Sequence, residues 1–147
     1  MKKRLISGLL VLSLLVVAGQ AAQKEVPMKG SGHGQVTGMG PGPTPATVSL
    51  TATGRGEATH LGRFTREESI TLDPSTGAVS GSITFTAADG SQLYCDFSGN
   101  LAAGGGTYTW TGGTGRFADA SGEAGFTVEQ SDPANFSFTF SGSIELN

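Results

Sequence analysis

The chain has little of the chemistry that usually marks an active site. Among its 147 residues there is one cysteine, Cys95, and there are two histidines, His33 and His60. A single cysteine excludes an intrachain disulfide, so the fold must be held by its core and its hydrogen bonds. Two histidines on separate segments lack the spacing of metal ligands, and we expect no metal site. No G-x-S-x-G segment is present, so the usual indication of a serine hydrolase is missing.

Basic residues are scarce as well. Nine Lys and Arg stand against twelve Asp and Glu, which gives a formal net charge of −3. Three of the nine basic residues, Lys2, Lys3 and Arg4, are at the start of the chain. Without them six basic residues remain against twelve acidic ones, and the formal net charge changes from −3 to −6. An acidic surface without a Lys/Arg cluster argues against nucleic acid or anionic lipid as a partner.

One long apolar run is present, from Leu5 to Ala18, between the basic start and a group of small residues. This arrangement predicts a secretory signal peptide over residues 1–22, since the run is shorter than the ~20 residues of a membrane span. Removing 22 of 147 residues leaves 125, enough for one domain over residues 23–147. We expect that domain to be secreted, periplasmic or extracellular, with no membrane span.

Apolar and polar residues alternate through most of the mature chain. In FSFTFSGSIEL, residues 136–146, the phenylalanines, Ile144 and Leu146 share one parity, and serine, threonine and Glu145 share the other. The same alternation occurs in VSGSITFTA (79–87), QLYCDFSGNL (92–101) and ASGEAGFTVE (120–129). Alternation of this kind is typical of antiparallel strands with one buried face.

Glycine-rich and Asp-Pro or Asp-Gly turn signals separate these runs. They include GMGPGPTP at 38–45, TGRG at 53–56 and GGTG at 112–115. The pattern predicts an all-β fold of eight strands, near 26–36, 46–53, 56–72, 78–88, 91–101, 106–111, 119–130 and 135–146, with an interruption of the third near Gly62 left open. We favour an eight-stranded antiparallel up-and-down β-barrel over a two-sheet sandwich, because closing the sheet removes its exposed edge strands. Glycines on the inward side of the strands also favour a barrel, since its strands must bend. These glycines are Gly30, Gly32, Gly34, Gly81, Gly99, Gly122 and Gly142.

The segment WTGGTGRFADASG, residues 110–122, contains Gly113, Gly115 and Ala118 in a G-x-G-x-x-A pattern. This is the outline of a dinucleotide-binding fingerprint, which requires a following helix whose N-terminal amides meet the pyrophosphate. Here further glycines and an alternating pattern follow instead of a helix. We therefore interpret the segment as a turn and expect no nucleotide and no other cofactor.

Within that segment, GGTGRFADASG resembles the GGTG-x-F-x-x-A-x-G stretch of dirigent proteins and, more loosely, of the allene oxide cyclase barrel superfamily. GEATHLGRFT and FTAADGSQLYCDFSG resemble uncharacterised secreted bacterial proteins with the same ending. The resemblance spans about residues 26–147. It implies an eight-stranded barrel, often trimeric, with an apolar cavity for a small hydrophobic molecule. No catalytic residue of either family matches a position here.

Two charges fall on the buried side of the predicted third strand. In GRFTREESITL, Arg66 and Glu68 share the parity of Phe64, Ile70 and Leu72. A buried Arg/Glu pair would have to be hydrogen-bonded, and in an apolar cavity it would orient the polar group of a ligand. The plainer interpretation, which we favour from the sequence alone, is a bulge that returns both charges to solvent.

The remaining pocket candidates are apolar. Phe85, Cys95 and Phe97 have inward parity, and Cys95 is better interpreted as a small buried hydrophobe than as a reactive thiol. The motif predicts a reversal from a strand ending near Thr111 into one starting near Asp119, with an Arg116–Asp119 ion pair and Phe117 packed on the barrel end. The residues of this predicted turn are Gly112, Gly113, Gly115, Arg116 and Phe117.

Three functions remain open. The first is non-enzymatic binding of a small hydrophobic molecule in the barrel. The second is an envelope or extracellular interaction protein whose barrel is filled by its own side chains. The third, less favoured, is dirigent- or cyclase-like steering of a lipid or phenolic substrate. We expect a binding protein rather than an enzyme, with a homo-oligomer, a trimer by resemblance, as a further expectation.

Overall fold

The computed structural model describes residues 23–147, and the predicted signal peptide, residues 1–22, lies outside the described residues. Eight antiparallel strands follow one another around a barrel, which closes where β8 pairs with β1. The strands are β1 (Lys24–Pro41), β2 (Val48–Ala58), β3 (Gly62–Leu72), β4 (Ala78–Ala87), β5 (Gln92–Asn100), β6 (Gly105–Gly113), β7 (Gly122–Gln130) and β8 (Asn135–Leu146). The predicted up-and-down barrel is confirmed, and the sandwich is wrong.

Helix is almost absent from residues 23–147. A single 3-10 turn, Gly115–Phe117, follows β6. Within the same residues no helix has the length and apolar character that a membrane crossing by a helix requires.

The alternating pattern places one face of every strand in a core that is largely aromatic. All eight phenylalanines of the chain are buried, together with Tyr108 and Trp110. Many of the rings meet edge to face, as Phe64 and Phe85 do with their centroids 5.2 Å apart, or stacked, as Tyr108 and Phe126 do at 4.6 Å. Such contacts add to the free energy gained by burying large apolar surfaces.

The turn predicted at residues 53–56 is wrong. Gly54 and Gly56 lie inside β2, and a Cβ at Gly56 would overlap the Ser31 carbonyl oxygen of the neighbouring strand. These glycines serve the close approach of two strands, a role that looks the same in sequence as a turn. The chain reverses later, at residues 59–61, where His60 has a φ of 67° and Gly62 a φ of 63°. The predicted interruption at Gly62 is therefore confirmed.

The two ends of the barrel differ. At one, which we name the closed end, loops 59–61, 88–91 and 114–121 lie over the core, and Leu61 and Phe117 are buried beneath them. At the other, the open end, the connections are residues 42–47, 73–77, 101–104 and 131–134. The cavity described below lies at the open end.

Where β8 pairs with β1, phenylalanine rings of β8 pack against glycines of β1. We name this pairing the seam. Gly30, Gly32 and Gly34 of β1 are the direct cross-strand partners of Phe140, Phe138 and Phe136. A Cβ at any of the three glycines would collide with the ring of its partner. The rings therefore occupy the space that side chains of β1 would otherwise fill.

We predict that Gly32→Ala lowers the free energy of unfolding by about 1–3 kcal/mol, the usual cost of overpacking. Its Cβ would overlap the Arg55 carbonyl oxygen and lie 2.7 Å from Phe138 Cζ, and backbone cannot yield as a flexible side chain would. Gly40→Ala, on the same strand, is the matched control because nothing lies within 4 Å of its Cβ. Urea unfolding of both variants checks this, and equal stabilities would contradict it.

Candidate functional site

A pocket of about 70 Å³ lies inside the open end of the barrel. Its walls come from all eight strands and are mostly apolar, with Arg66, Glu68 and Tyr108 as the polar groups at its inner part. The other lining residues are Val36, Leu50, Ile70, Val79, Ile83, Phe97, Leu101, Phe126, Val128, Gln130 and Phe136. Sites for drug-sized ligands are several times larger. The barrel is thus mostly filled, with one opening for a small group.

Arg66 and Glu68 both face the interior. Their side chains are within the barrel wall, with residue exposures of 3% and 8%. The bulge that we favoured from the sequence is wrong, because β3 pairs with β2 and with β4 in unbroken register. Strict alternation along β3 therefore turns both charges inward, where they form a salt bridge with Arg66 Nη2 3.2 Å from Glu68 Oε1.

The Arg66 guanidinium is held by three different contacts. It lies over the Phe138 ring, 3.6 Å from the centroid, and it donates hydrogen bonds to Tyr108 Oη at 2.9 Å and to Glu68. Within the described residues its Nε is buried without a hydrogen-bond partner. A cation over an aromatic face in a dry site is favourable, but the orphaned N–H is costly. The arrangement is therefore better suited to fixing a geometry than to maximising stability.

Burial controls the protonation of the groups around the arginine. It raises the pKa of Glu68 above 4.5, against the opposing effect of the Arg66 charge and hydrogen bond. It raises the pKa of Tyr108 to about 12, so the phenol keeps its proton at neutral pH. At the inner part of the pocket, Glu68 is an acceptor whose charge is costly, and Tyr108 stays neutral.

The structure separates the predicted apolar candidates into two groups. Phe97 lines the pocket. Phe85 and Cys95 are fully buried deeper in the core and do not line it. Burial also raises the pKa of the Cys95 thiol, so it remains protonated and behaves as a small apolar side chain. That any of the five predicted residues contacts a ligand stays a prediction.

Sequence reasoning missed Tyr108 and Phe138, the two residues that contact the Arg66 guanidinium from β6 and β8. Their inward parity is visible in YTW and FSFTF, so the signal for burial was present. The sequence could not show that three separate strands bring them to the same arginine, because this depends on the register around the closed barrel.

The glycine-rich motif belongs to the closed end. β6 runs on to Gly113, the 3-10 turn follows, and β7 begins at Gly122, later than the predicted Asp119. Gly112 and Gly115 have positive φ values of 118° and 56°, and Phe117 is fully buried as predicted. The glycines thus reverse the chain and seat one phenylalanine on the core.

Arg116 does not pair with Asp119, so that prediction is wrong. Its Nε donates to Asp89 Oδ2 at 2.8 Å and its Nη1 to the His60 carbonyl oxygen at 2.5 Å. The guanidinium also lies 4.9 Å from the centroid of the Phe117 ring. The Arg116 side chain lowers the pKa of Asp89 to about 2. Arg116 therefore ties the three closed-end loops together, far from the pocket.

Within residues 23–147 no three His, Cys, Asp or Glu side chains are grouped as a metal site requires.

The barrel is similar to those of solved dirigent proteins. The structure of the pterocarpan synthase dirigent protein GePTS1 matches with a TM-score of 0.61 at 16% identity, covering 88% of this chain and 94% of that one. The pterocarpan synthase dirigent protein PsPTS1 matches with a TM-score of 0.58 at 15% identity, covering 82% and 94%. No protein-family model and no curated protein matches the sequence. The chain has a dirigent-like barrel fold; its relation to allene oxide cyclases and to secreted bacterial proteins stays a prediction.

We predict that Arg66→Ala lowers the free energy of unfolding by about 3–5 kcal/mol, because it leaves a buried carboxyl and a buried phenol without their partner. Arg63→Ala is the matched control on the same strand. Arg63 pairs with Glu57 at 3.5 Å, but the side chains are 88% and 74% exposed, so its loss should change stability by less than about 0.5 kcal/mol. Equal losses in the two variants, measured by chemical denaturation, would place Arg66 outside the core.

The raised pKa of Glu68 also predicts a pH dependence. Folded Glu68 keeps its proton at pH values where the unfolded chain has lost it, so stability declines as the pH rises from about 4.5 through the raised pKa. Glu68→Gln cannot ionise. We expect its free energy of unfolding, relative to wild type, to rise with pH from about 4.5 upward. Urea titrations between pH 4 and 8 measure this difference in the free energy of unfolding, and Glu57→Gln corrects for the loss of one negative charge. A difference between Glu68→Gln and wild type that does not vary with pH would refute the prediction.

Proposed function

We propose that this protein binds, without transforming it, one small neutral molecule with an apolar body and a hydrogen-bond donor. A phenol or an alcohol has both features. The observation that supports the proposal is the Glu68 carboxyl inside the apolar pocket. Arg66 Nη2 donates to Oε1, and none of the hydrogen bonds within residues 23–147 is made to Oε2, so Oε2 can accept a bond from a ligand.

The pocket walls favour an aromatic or aliphatic body. Phe97, Phe126 and Phe136 come from β5, β7 and β8, and Ile70 and Val128 add branched side chains. A ligand that displaces water from these surfaces gains free energy in proportion to the apolar area buried. Its single donor would then find Glu68 as an acceptor on a mostly apolar wall.

Charge favours a neutral ligand. The four open-end loops carry Asp73 and Asp132 but no Lys, Arg or His. The one cation in the pocket, Arg66, is already paired with Glu68. A carboxylate would therefore meet acidic loops at the mouth and no free positive charge inside, and its desolvation would not be compensated.

Two alternatives are supported by separate observations. The similarity of the barrel to those of dirigent proteins supports steering of a phenolic or lipid-like substrate. The dense aromatic core and the small cavity support a filled barrel that acts through its outer surface. We prefer binding because Arg66, Glu68 and Tyr108 are held by one another and form no nucleophile and base pair. Secretion, as the first 22 residues predict, would present the pocket to extracellular or periplasmic molecules.

Calorimetric titration of the full-length protein with three probes tests the proposal. 4-Methylphenol should bind, whereas 4-methylanisole, whose donor is blocked, should bind about 10- to 100-fold more weakly, the value of a hydrogen bond to a charged group. 4-Hydroxybenzoate, which adds a carboxylate, should bind more weakly than 4-methylphenol. The double variant Arg66→Met with Glu68→Leu replaces the pair by apolar residues of similar size and should lose the preference for the phenol. No binding of any probe would support the filled barrel.

A further inference from the structure

The pocket is too small for most molecules that its chemistry fits. A volume of about 70 Å³ accepts a single small group and leaves the rest of a larger ligand at the mouth. The surface just outside the mouth therefore decides how large a ligand the protein can hold. On one side of the mouth, that surface is formed by the outer part of the β1–β2 hairpin and the end of β3.

A β-bulge changes which side of β1 faces the mouth. β1 pairs with β2 in regular register up to Val36 and Ala52, but the next pair is Gly38 with Thr51, so Thr37 is an extra residue. A bulge of this kind reverses the alternation beyond it. Met39 is consequently the cross-strand partner of Leu50, and Leu50 is a pocket residue on the inner face.

The inner face continues past the barrel rim. The pairing of β8 with β1 ends at Gln35, whereas β1 and β2 stay paired out to Pro41 and Val48. Two rows of apolar residues cross this extension and the end of β3. We name them the shelf: Met39, Leu50 and Ile70 in the first row, Pro41, Val48 and Leu72 in the second.

Met39 is unusual in its exposure. It is 76% exposed, and the other large hydrophobic residue exposed among residues 23–147 is Leu101, which lies at the same mouth. Exposed apolar residues scattered over a surface need no explanation, but two beside one pocket mark a binding surface. Methionine is suited to such a surface because its unbranched side chain adapts to varied shapes.

We propose that the shelf is a second subsite, which binds the apolar tail of a ligand whose donor group reaches Glu68. The proposal rests on the function proposed above. It assigns a ligand class, namely neutral phenols or alcohols with an extended apolar substituent. The shelf is continuous with the pocket through Leu50 and Ile70, and the acidic, base-free loops around it disfavour an anionic tail.

Titration with 4-alkylphenols tests the shelf separately from the pocket. In the full-length wild type, affinity should rise about two- to fourfold for each added methylene between 4-methylphenol and 4-pentylphenol, as expected for burial of the chain. Met39→Ser should remove most of this gain and leave the affinity for 4-methylphenol unchanged. Gln35→Ser, an exposed outward-facing position on the same strand, is the matched control and should retain the gain.

The other outcomes are distinct. If 4-methylphenol binds but chain length brings no gain, or Met39→Ser weakens both probes equally, the shelf proposal is overturned and the pocket proposal stands. If no alkylphenol binds, the shelf proposal and the pocket proposal are both overturned. Sedimentation of wild type and of Met39→Ser tests whether a second copy of the chain covers the shelf instead of a ligand. An oligomer that dissociates in the variant would show this, and it would also overturn the proposal.

Discussion

The structure depends on the fit between three phenylalanine rings of β8 and three glycines of β1. This seam closes the barrel, and it works only because β1 offers no side chains on its inner face at these positions. The rings therefore reach across the space above β1 and fill the interior from one side. The middle ring, Phe138, carries the Arg66 guanidinium at 3.6 Å. The same feature that closes the sheet thus creates the aromatic surface on which a buried cation can be placed.

The buried cation in turn shapes the pocket. An arginine in this core needs an anion, a polar neighbour and an aromatic face, and Glu68, Tyr108 and Phe138 supply them from three different strands. Stability does not require the Arg66–Glu68 pair, since apolar residues of the same volume often hold a core as well or better. Its consequence is that one carboxyl oxygen is fixed at the inner part of an apolar cavity. A polar group held rigidly in such a place gives orientation and selectivity to binding.

Most of the fold could be predicted from the sequence, since alternation and turn residues act locally. The eight strands and the closed barrel follow from period-two patterning and from the advantage of having no free edges. The turn at 53–56 failed because a glycine required by close strand packing has the same sequence signature as one required by a turn. The candidate site was harder to predict than the fold. The alternating pattern placed Arg66 on the buried side of its strand, but the high cost of burying a charge favoured a bulge. The partners that compensate for this cost, Tyr108 and Phe138, become visible only from the joint register of β3, β6 and β8. The bulge at Thr37, which lies beside the pocket, has no marked signature in the sequence.

The most recognisable segment of the chain and the candidate functional site lie at opposite ends of the barrel. The GGTG motif seats Phe117, and Arg116 joins three loops, so the motif seals one end of the barrel. A barrel of this size with both ends sealed has no access to its interior, whereas one with both ends open exposes its core to water. Closure at the motif end therefore allows the other end to stay open around Glu68. It follows that a shared motif of this kind carries information about the barrel and little about a ligand, because the candidate site lies at the opposite end, around Arg66 and Glu68 of β3.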